Sequence, residues 1–65
     1  MTKLERKTII DSIVSAERML DAARLLGDED IIARRSYSYS ALVNLATGLG
    51  ITIDEIIDAG LEASA

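Results

Sequence analysis

The sequence predicts an all-α protein built as an antiparallel helical hairpin with a short third helix. Apolar residues recur every three to four positions along the 65-residue chain, which is the spacing of amphipathic helices. Start and stop signals divide them into helices at about residues 3–26, 28–49 and 53–62, and short connections favour antiparallel neighbours. No linker divides the chain, so we expect one small helical domain over residues 1–65.

The first predicted helix has clear signals at both ends. Thr2 and Glu5 have the spacing of a capping box, in which each side chain accepts a hydrogen bond from the other residue's backbone N–H. Gly27 suits the left-handed conformation that ends many helices. The residues predicted to face the core are Ile9, Ile13, Ala16, Met19, Leu20 and Ala23.

The second predicted helix begins near Asp28, in an acidic segment that suits the positive end of the helix dipole. Residues 36–40 alternate Ser and Tyr and have modest helix propensity, but the apolar residues keep the same helical phase on both sides of them. We therefore predict one continuous helix, with a break near Ser36 and four helices as the alternative. The residues predicted to face the core are Ile31, Ile32, Leu42, Leu45, Ala46 and Leu49.

The third predicted helix begins with a second capping box, formed by Thr52 and Glu55. Ile51 and Ile56 flank this cap with the spacing of a hydrophobic staple. Two ends are predicted for this helix: an early end at Gly60, or a frayed end that reaches Ala63. We expect the helix to fold back over one end of the hairpin, with Ile53, Ile56, Ile57 and Leu61 facing inward. The acidic residues Asp54, Glu55, Asp58 and Glu62 are expected to face outward, where a basic partner could bind them.

The composition argues against catalysis. The chain contains no Cys and no His, which excludes a thiol nucleophile, a disulfide, a zinc finger and a histidine base. Residues 48–50 have neither the preceding strand nor the following Lys of a phosphate-binding loop. We therefore predict that the chain is not an enzyme and has no catalytic, cofactor-binding or metal-binding residues and no small-molecule substrate, although oxygen-only cation sites remain open.

The charge balance and the segment lengths indicate where such a chain acts. The net charge is −4, which opposes general binding to nucleic-acid phosphates. The uncharged stretch at residues 36–53 includes Ser, Thr, Asn and Gly residues, so we expect no membrane span. We find no secretory signal pattern and predict a cytoplasmic location.

The size of the chain predicts self-association. A domain this small, without a disulfide or zinc site, is marginally stable alone. We therefore expect a homo-oligomer, with a dimer forming a helical bundle favoured, or a complex with a protein partner. Apolar residues outside the first core stripe, and a face of small residues around Tyr37 on the second helix, predict the interface. Its residues are Ile10, Val14, Leu25, Tyr37, Ala41, Asn44 and Gly48.

Two adjacent arginines form a further candidate site. Arg35 is predicted to project into the apolar stripe of the second helix, where a guanidinium must reach water or a carboxylate. The candidate partners for a buried ion pair are Glu17, Asp21, Asp54 and Asp58. Alternatively, Arg34 and Arg35 together with the tyrosines contact an anionic group.

Residues 42–57 read LVNLATGLGITIDEII. This segment resembles the closing helical segment of Cro/lambda-repressor-type helix-turn-helix domains, which has Leu and Ala in a Gly-terminated helix, a Thr or Ser cap and an acidic start to the next helix. The resemblance implies a shared packing unit, and it offers a DNA-linked transcriptional regulator as an alternative function, although nucleic acid is not an expected partner of this acidic chain. The two short DNA-reading helices of that family have no visible counterpart upstream, where one long helix is predicted.

The preferred function is therefore a small, soluble protein–protein interaction or regulatory module that acts through self-association or a protein partner. The DNA-linked regulator of the helix-turn-helix kind is the alternative. A further alternative is an acidic inhibitor or nucleic-acid mimic that binds a basic partner.

Overall fold

The computed structural model describes residues 1–64, which form three α-helices and no strand. The helices are α1 (Lys3–Leu26), α2 (Glu29–Gly48) and α3 (Ile53–Ser64). The predicted all-α class is confirmed, and the predicted boundaries differ by no more than two residues. α2 is uninterrupted across residues 36–40, so the four-helix alternative is wrong.

The turn between α1 and α2 uses one glycine and one cap. Gly27 ends α1 in the left-handed conformation with φ +74°, which carries no steric cost for glycine. Asp28 then caps α2, and its Oδ1 accepts hydrogen bonds from the backbone N–H groups of Asp30 (3.0 Å) and Ile31 (3.3 Å). This tight reversal makes α1 and α2 antiparallel neighbours.

The connection from α2 to α3 is a Schellman motif. Gly50 adopts φ +92°, and its N–H donates to the carbonyl of Thr47 (3.1 Å), while the N–H of Ile51 donates to the carbonyl of Ala46 (3.0 Å). These are the two hydrogen bonds that define the motif. Ala46 and Ile51 are both buried in the core, so the turn also directs the chain back toward α1.

Both predicted capping boxes are present. At α1, the Thr2 backbone N–H donates to Glu5 Oε1 and the Glu5 N–H donates to Thr2 Oγ1, each at 3.1 Å. At α3, the Thr52 N–H donates to Glu55 Oε2 (2.7 Å) and the Glu55 N–H donates to Thr52 Oγ1 (3.2 Å). Gly60 does not end α3, because the helix continues to Ser64.

α3 lies along α1 and runs in the same direction. Near its start Glu55 pairs with Arg6 (2.6 Å), and near its end the carbonyl of Ala63 accepts a hydrogen bond from Arg18 Nη2 (2.7 Å). The negative end of the helix dipole favours a cation at this position. The third helix therefore covers one side of the hairpin. The sequence predicts that it covers one end, and this prediction is wrong.

The core lies where the three helices meet. Ile13, Ala46, Ile51 and Ile56 form its fully enclosed centre. Half-buried residues pack around it, namely Ile9, Ile10, Tyr39, Leu42 and Val43. The predicted staple residues Ile51 and Ile56 thus belong to one cluster.

The side on which α3 packs changes which residues are buried. Val14 is only 9% exposed, so it is not free to form the predicted interface, whereas Ile10 is half-buried. Three α3 residues that were predicted to face inward are instead exposed, namely Ile53, Ile57 and Leu61. The same holds for Met19, Ile31, Leu45 and Leu49 on the hairpin, because α3 leaves their side uncovered.

Candidate interaction surfaces

A row of mainly apolar residues runs along α2 on the side of the hairpin away from α3, and all its members are exposed except Leu42, which is half-buried against the core. The row alternates steps of four and three residues, which is the heptad spacing of helices that pack side by side. Leu45, which is 58% exposed, and Leu49 lie at its C-terminal end, and Ile31 lies at its N-terminal end. The complete row is Ile31, Arg35, Ser38, Leu42, Leu45 and Leu49.

α1 contributes a matching row beside it. Its members are Ile9, Ser12, Ala16, Met19 and Leu26, of which Ile9 and Ala16 are half-buried. Around the α1 axis they lie about 100–200° from the residues that meet α3. The heptad position between Met19 and Leu26 is Ala23, which is buried. Arg35 Nη1 lies 3.8 Å from Met19 Sδ, which places the two rows next to each other. We call these two rows the open hairpin face. Arg35 carries its only formal charge.

The remaining predicted interface residues lie on a different side of α2 or at the hairpin turn. Tyr37 is 78% exposed, and Ala41, Asn44 and Gly48 are exposed on the same outer side of α2. Leu25 is exposed near the turn. The small-residue face predicted from the sequence is therefore accessible, but it is separate from the open hairpin face.

The predicted buried ion pair of Arg35 is wrong. Arg35 is exposed and contacts Met19, and no carboxylate lies within ion-pair distance of it among residues 1–64. Asp21 pairs instead with Arg24 (3.3 Å). Asp54, like the rest of α3, lies on the other side of the hairpin. Arg34 is also exposed, and an anion contact by the two arginines stays a prediction.

The sequence did not predict the pair between Arg6 and Glu55. Arg6 Nε donates to Glu55 Oε1 (2.8 Å) and Arg6 Nη2 donates to Glu55 Oε2 (2.6 Å). Arg6 Nη2 also donates to the carbonyl of Gly50 (3.3 Å). Hydrogen bonds from Arg6, and then from the Thr52 backbone, lower the pKa of Glu55 to about 2. The capping-box spacing gave a signal for the bond to Thr52 but none for the distant arginine.

Glu55 therefore does not belong to an outward acidic face. The other predicted members, Asp54, Asp58 and Glu62, are exposed and form no ion pair among the described residues. Each of the three directly follows an exposed apolar residue of α3. We call Ile53, Ile57 and Leu61 the α3 ridge.

A cleft separates the α3 ridge from the hairpin. Its volume is about 260 Å³. Apolar walls are formed by Val14, Tyr39, Ile57 and Leu61, and the carboxylates Glu17 and Asp21 lie on the α1 side. Arg18 also lines the cleft, with its guanidinium bound to the α3 carbonyl described above. We call this feature the α3 cleft.

The surface of the whole chain is large for its mass. The chain exposes 4746 Å², whereas a compact protein of 7.0 kDa exposes roughly 4,000 Å². Its radius of gyration is 12.2 Å, against about 11 Å for a compact domain of this length.

Comparison with protein-family models, curated proteins and solved structures finds no match to this chain. None of the three helices that the structure describes has the length and apolar character needed to cross a membrane.

Proposed function

We propose that this protein acts as a self-associating helical module, a homodimer in which two open hairpin faces meet as a four-helix bundle. The observation that carries the proposal is the heptad-spaced row on α1 and α2, whose exposed apolar members are Met19, Leu26, Ile31, Leu45 and Leu49. A two-fold axis would place each face against its own copy. α3 lies on the other side of the hairpin and does not obstruct this contact.

The spacing supports helix-on-helix packing over the length of the hairpin. Residues in a heptad row insert between residues of a facing helix as knobs into holes. Polar members of such rows favour particular registers and orientations. In the proposed dimer this role belongs to Arg35, Ser38 and Ser12.

The exposed area is of the size that a dimer contact needs. The chain exposes about 700 Å² more than a compact protein of its mass. Specific interfaces bury about 600–1,000 Å² on each partner.

Size-exclusion chromatography with light scattering at low micromolar concentration tests the proposal. We expect a mass of about 14 kDa, twice that of the 7.0 kDa chain. A stable monomer under these conditions would contradict the proposal.

Two neighbouring substitutions locate the interface. Leu45→Glu places a charge in the open hairpin face, and Asn44→Glu places the same charge on the small-residue face one position away. Both residues are exposed, so circular dichroism should show intact helices in both variants. We expect Leu45→Glu to give monomers and Asn44→Glu to remain dimeric. The reverse result would place the interface on the small-residue face.

A further inference from the structure

The α3 ridge and the α3 cleft together form a second apolar surface, distinct from the open hairpin face. Ile53, Ile57 and Leu61 follow one another at intervals of four residues, so they form one row about 12 Å long. Ile57 and Leu61 extend this row into the cleft, where Tyr39 and Val14 form the facing wall. A dimer formed through the open hairpin face would leave this surface exposed on both copies.

Carboxylates border this apolar surface on both sides. Asp54 and Asp58 follow the outer flank of the ridge, and Glu17 and Asp21 lie along the α1 wall of the cleft. Glu62 instead lines a groove with Lys3, Arg6 and Lys7. Of the four bordering carboxylates, Asp21 alone has an ion-pair partner among residues 1–64. The cation in the cleft, Arg18, donates to the carbonyl of Ala63. The surface is therefore apolar along its centre and negative at its edges.

We propose that the α3 ridge and cleft bind a basic amphipathic helix of a partner protein. An amphipathic helix places apolar residues at three- and four-residue intervals into such a groove. Lys or Arg residues beside those positions would lie opposite the bordering carboxylates, and this complementarity selects the partner and speeds association. An acidic or neutral helix would lack the attraction between its side chains and the bordering carboxylates.

A synthetic amphipathic peptide of Leu and Lys, about 14 residues long, is the probe. Titration into the isotopically labelled full chain, followed by backbone amide NMR shifts, should perturb α3 and the cleft residues. Binding should weaken as salt is added, because salt screens exposed charges. The same peptide with Glu in place of Lys should not bind.

A matched pair of double variants tests the role of the bordering carboxylates. Asp54→Asn with Asp58→Asn removes two charges beside the ridge. Glu29→Gln with Asp30→Asn removes two charges from the first turn of α2, at the hairpin turn. We expect the first pair to weaken peptide binding about fivefold and the second to weaken it less than twofold.

Several results would overturn this proposal. Equal weakening by both double variants would show attraction to overall negative charge, and shifts confined to the open hairpin face would show the wrong surface. Absence of peptide binding, with a lower mass for the Asp54/Asp58 variant in light scattering, would show that a second copy occupies the cleft. The Leu45→Glu variant should still bind the peptide, so failure of the dimer proposal would be distinguishable from failure of this one.

Discussion

The carboxylate of Glu55 accepts hydrogen bonds from two parts of the chain. It caps its own helix through Thr52, and it receives two bonds from Arg6 near the start of α1. The cap is local and could be predicted from the Thr-x-x-Glu spacing. The arginine is 49 residues away, and no spacing rule connects two positions so far apart.

Stability should depend on the charge of Glu55 at acidic pH. Because the folded state lowers its pKa from 4.5 to about 2, its contribution is complete above pH 4.5 and is lost as the pH falls toward 2. We expect Glu55→Gln to lower the Tm at pH 7 and to match the wild-type Tm more closely near pH 2. Thermal unfolding across this range measures the difference.

A control substitution separates this effect from general acid denaturation. Glu62→Gln removes an exposed carboxylate that forms no ion pair among the described residues, so its pH profile should follow that of the wild type. The pKa of Glu5 is also lowered, by hydrogen bonds from Thr2. This effect is present in the wild type and in both variants, so it does not change the difference between them. A constant Tm difference from pH 7 to pH 2 would contradict the assigned role of Glu55.

Two glycines should respond to alanine with opposite signs. Gly60 lies inside α3, and an added Cβ would be 3.5 Å from Glu17 Oε2, which is ordinary contact. Gly60→Ala should therefore stabilise the protein by about 0.5–1 kcal/mol through helix propensity. Gly50→Ala should destabilise it by about 1–2 kcal/mol, because φ +92° is strained for alanine. Urea unfolding at fixed protein concentration measures both changes, and destabilisation by Gly60→Ala would show that α3 cannot accept a Cβ there.

At the scale of the helices, the boundaries could be predicted because their signals are local. Capping boxes, the Gly27 stop and the apolar phase across residues 36–40 depend on neighbouring residues alone. The position of α3 could not be predicted in this way. It depends on the Schellman turn at Gly50 and on the distant Arg6–Glu55 pair, and these place α3 over Val14. As a result, the sequence pattern predicts only some of the inward-facing and outward-facing residues of α3 correctly.

Adjacent isoleucines of α3 provide the test of this packing. Ile56 is 5% exposed and Ile57 is 52% exposed, although the sequence pattern predicts that both face inward. Ile56→Ala should cost about 2–5 kcal/mol by leaving a cavity in the core. Ile57→Ala should cost less than about 1 kcal/mol. Denaturant unfolding compares them, with Ile56→Val as a milder variant if Ile56→Ala does not fold, and equal costs would refute this orientation of α3.

For the whole molecule, one set of features predicts that the chain needs a partner, and another determines which surface that partner contacts. Length and composition predict that the chain is marginal alone, and this prediction requires no knowledge of packing. The location depends on which side of the hairpin α3 covers. α3 buries Val14 and half-buries Ile10, which lie outside the predicted core stripe of α1, and it leaves part of the predicted core stripe exposed. The proposed dimer contact therefore lies on the predicted core stripe, including Leu45.

If the dimer is the stable folded form, stability should depend on protein concentration. Association favours the folded state by mass action, and each tenfold increase in concentration contributes about 1.4 kcal/mol per mole of dimer. We expect the wild-type Tm to rise by several degrees between low and high micromolar concentration. Leu45→Glu should lower the Tm and remove this dependence, whereas Asn44→Glu should retain it. A wild-type Tm that is independent of concentration would mean that one chain is stable with its open hairpin face exposed.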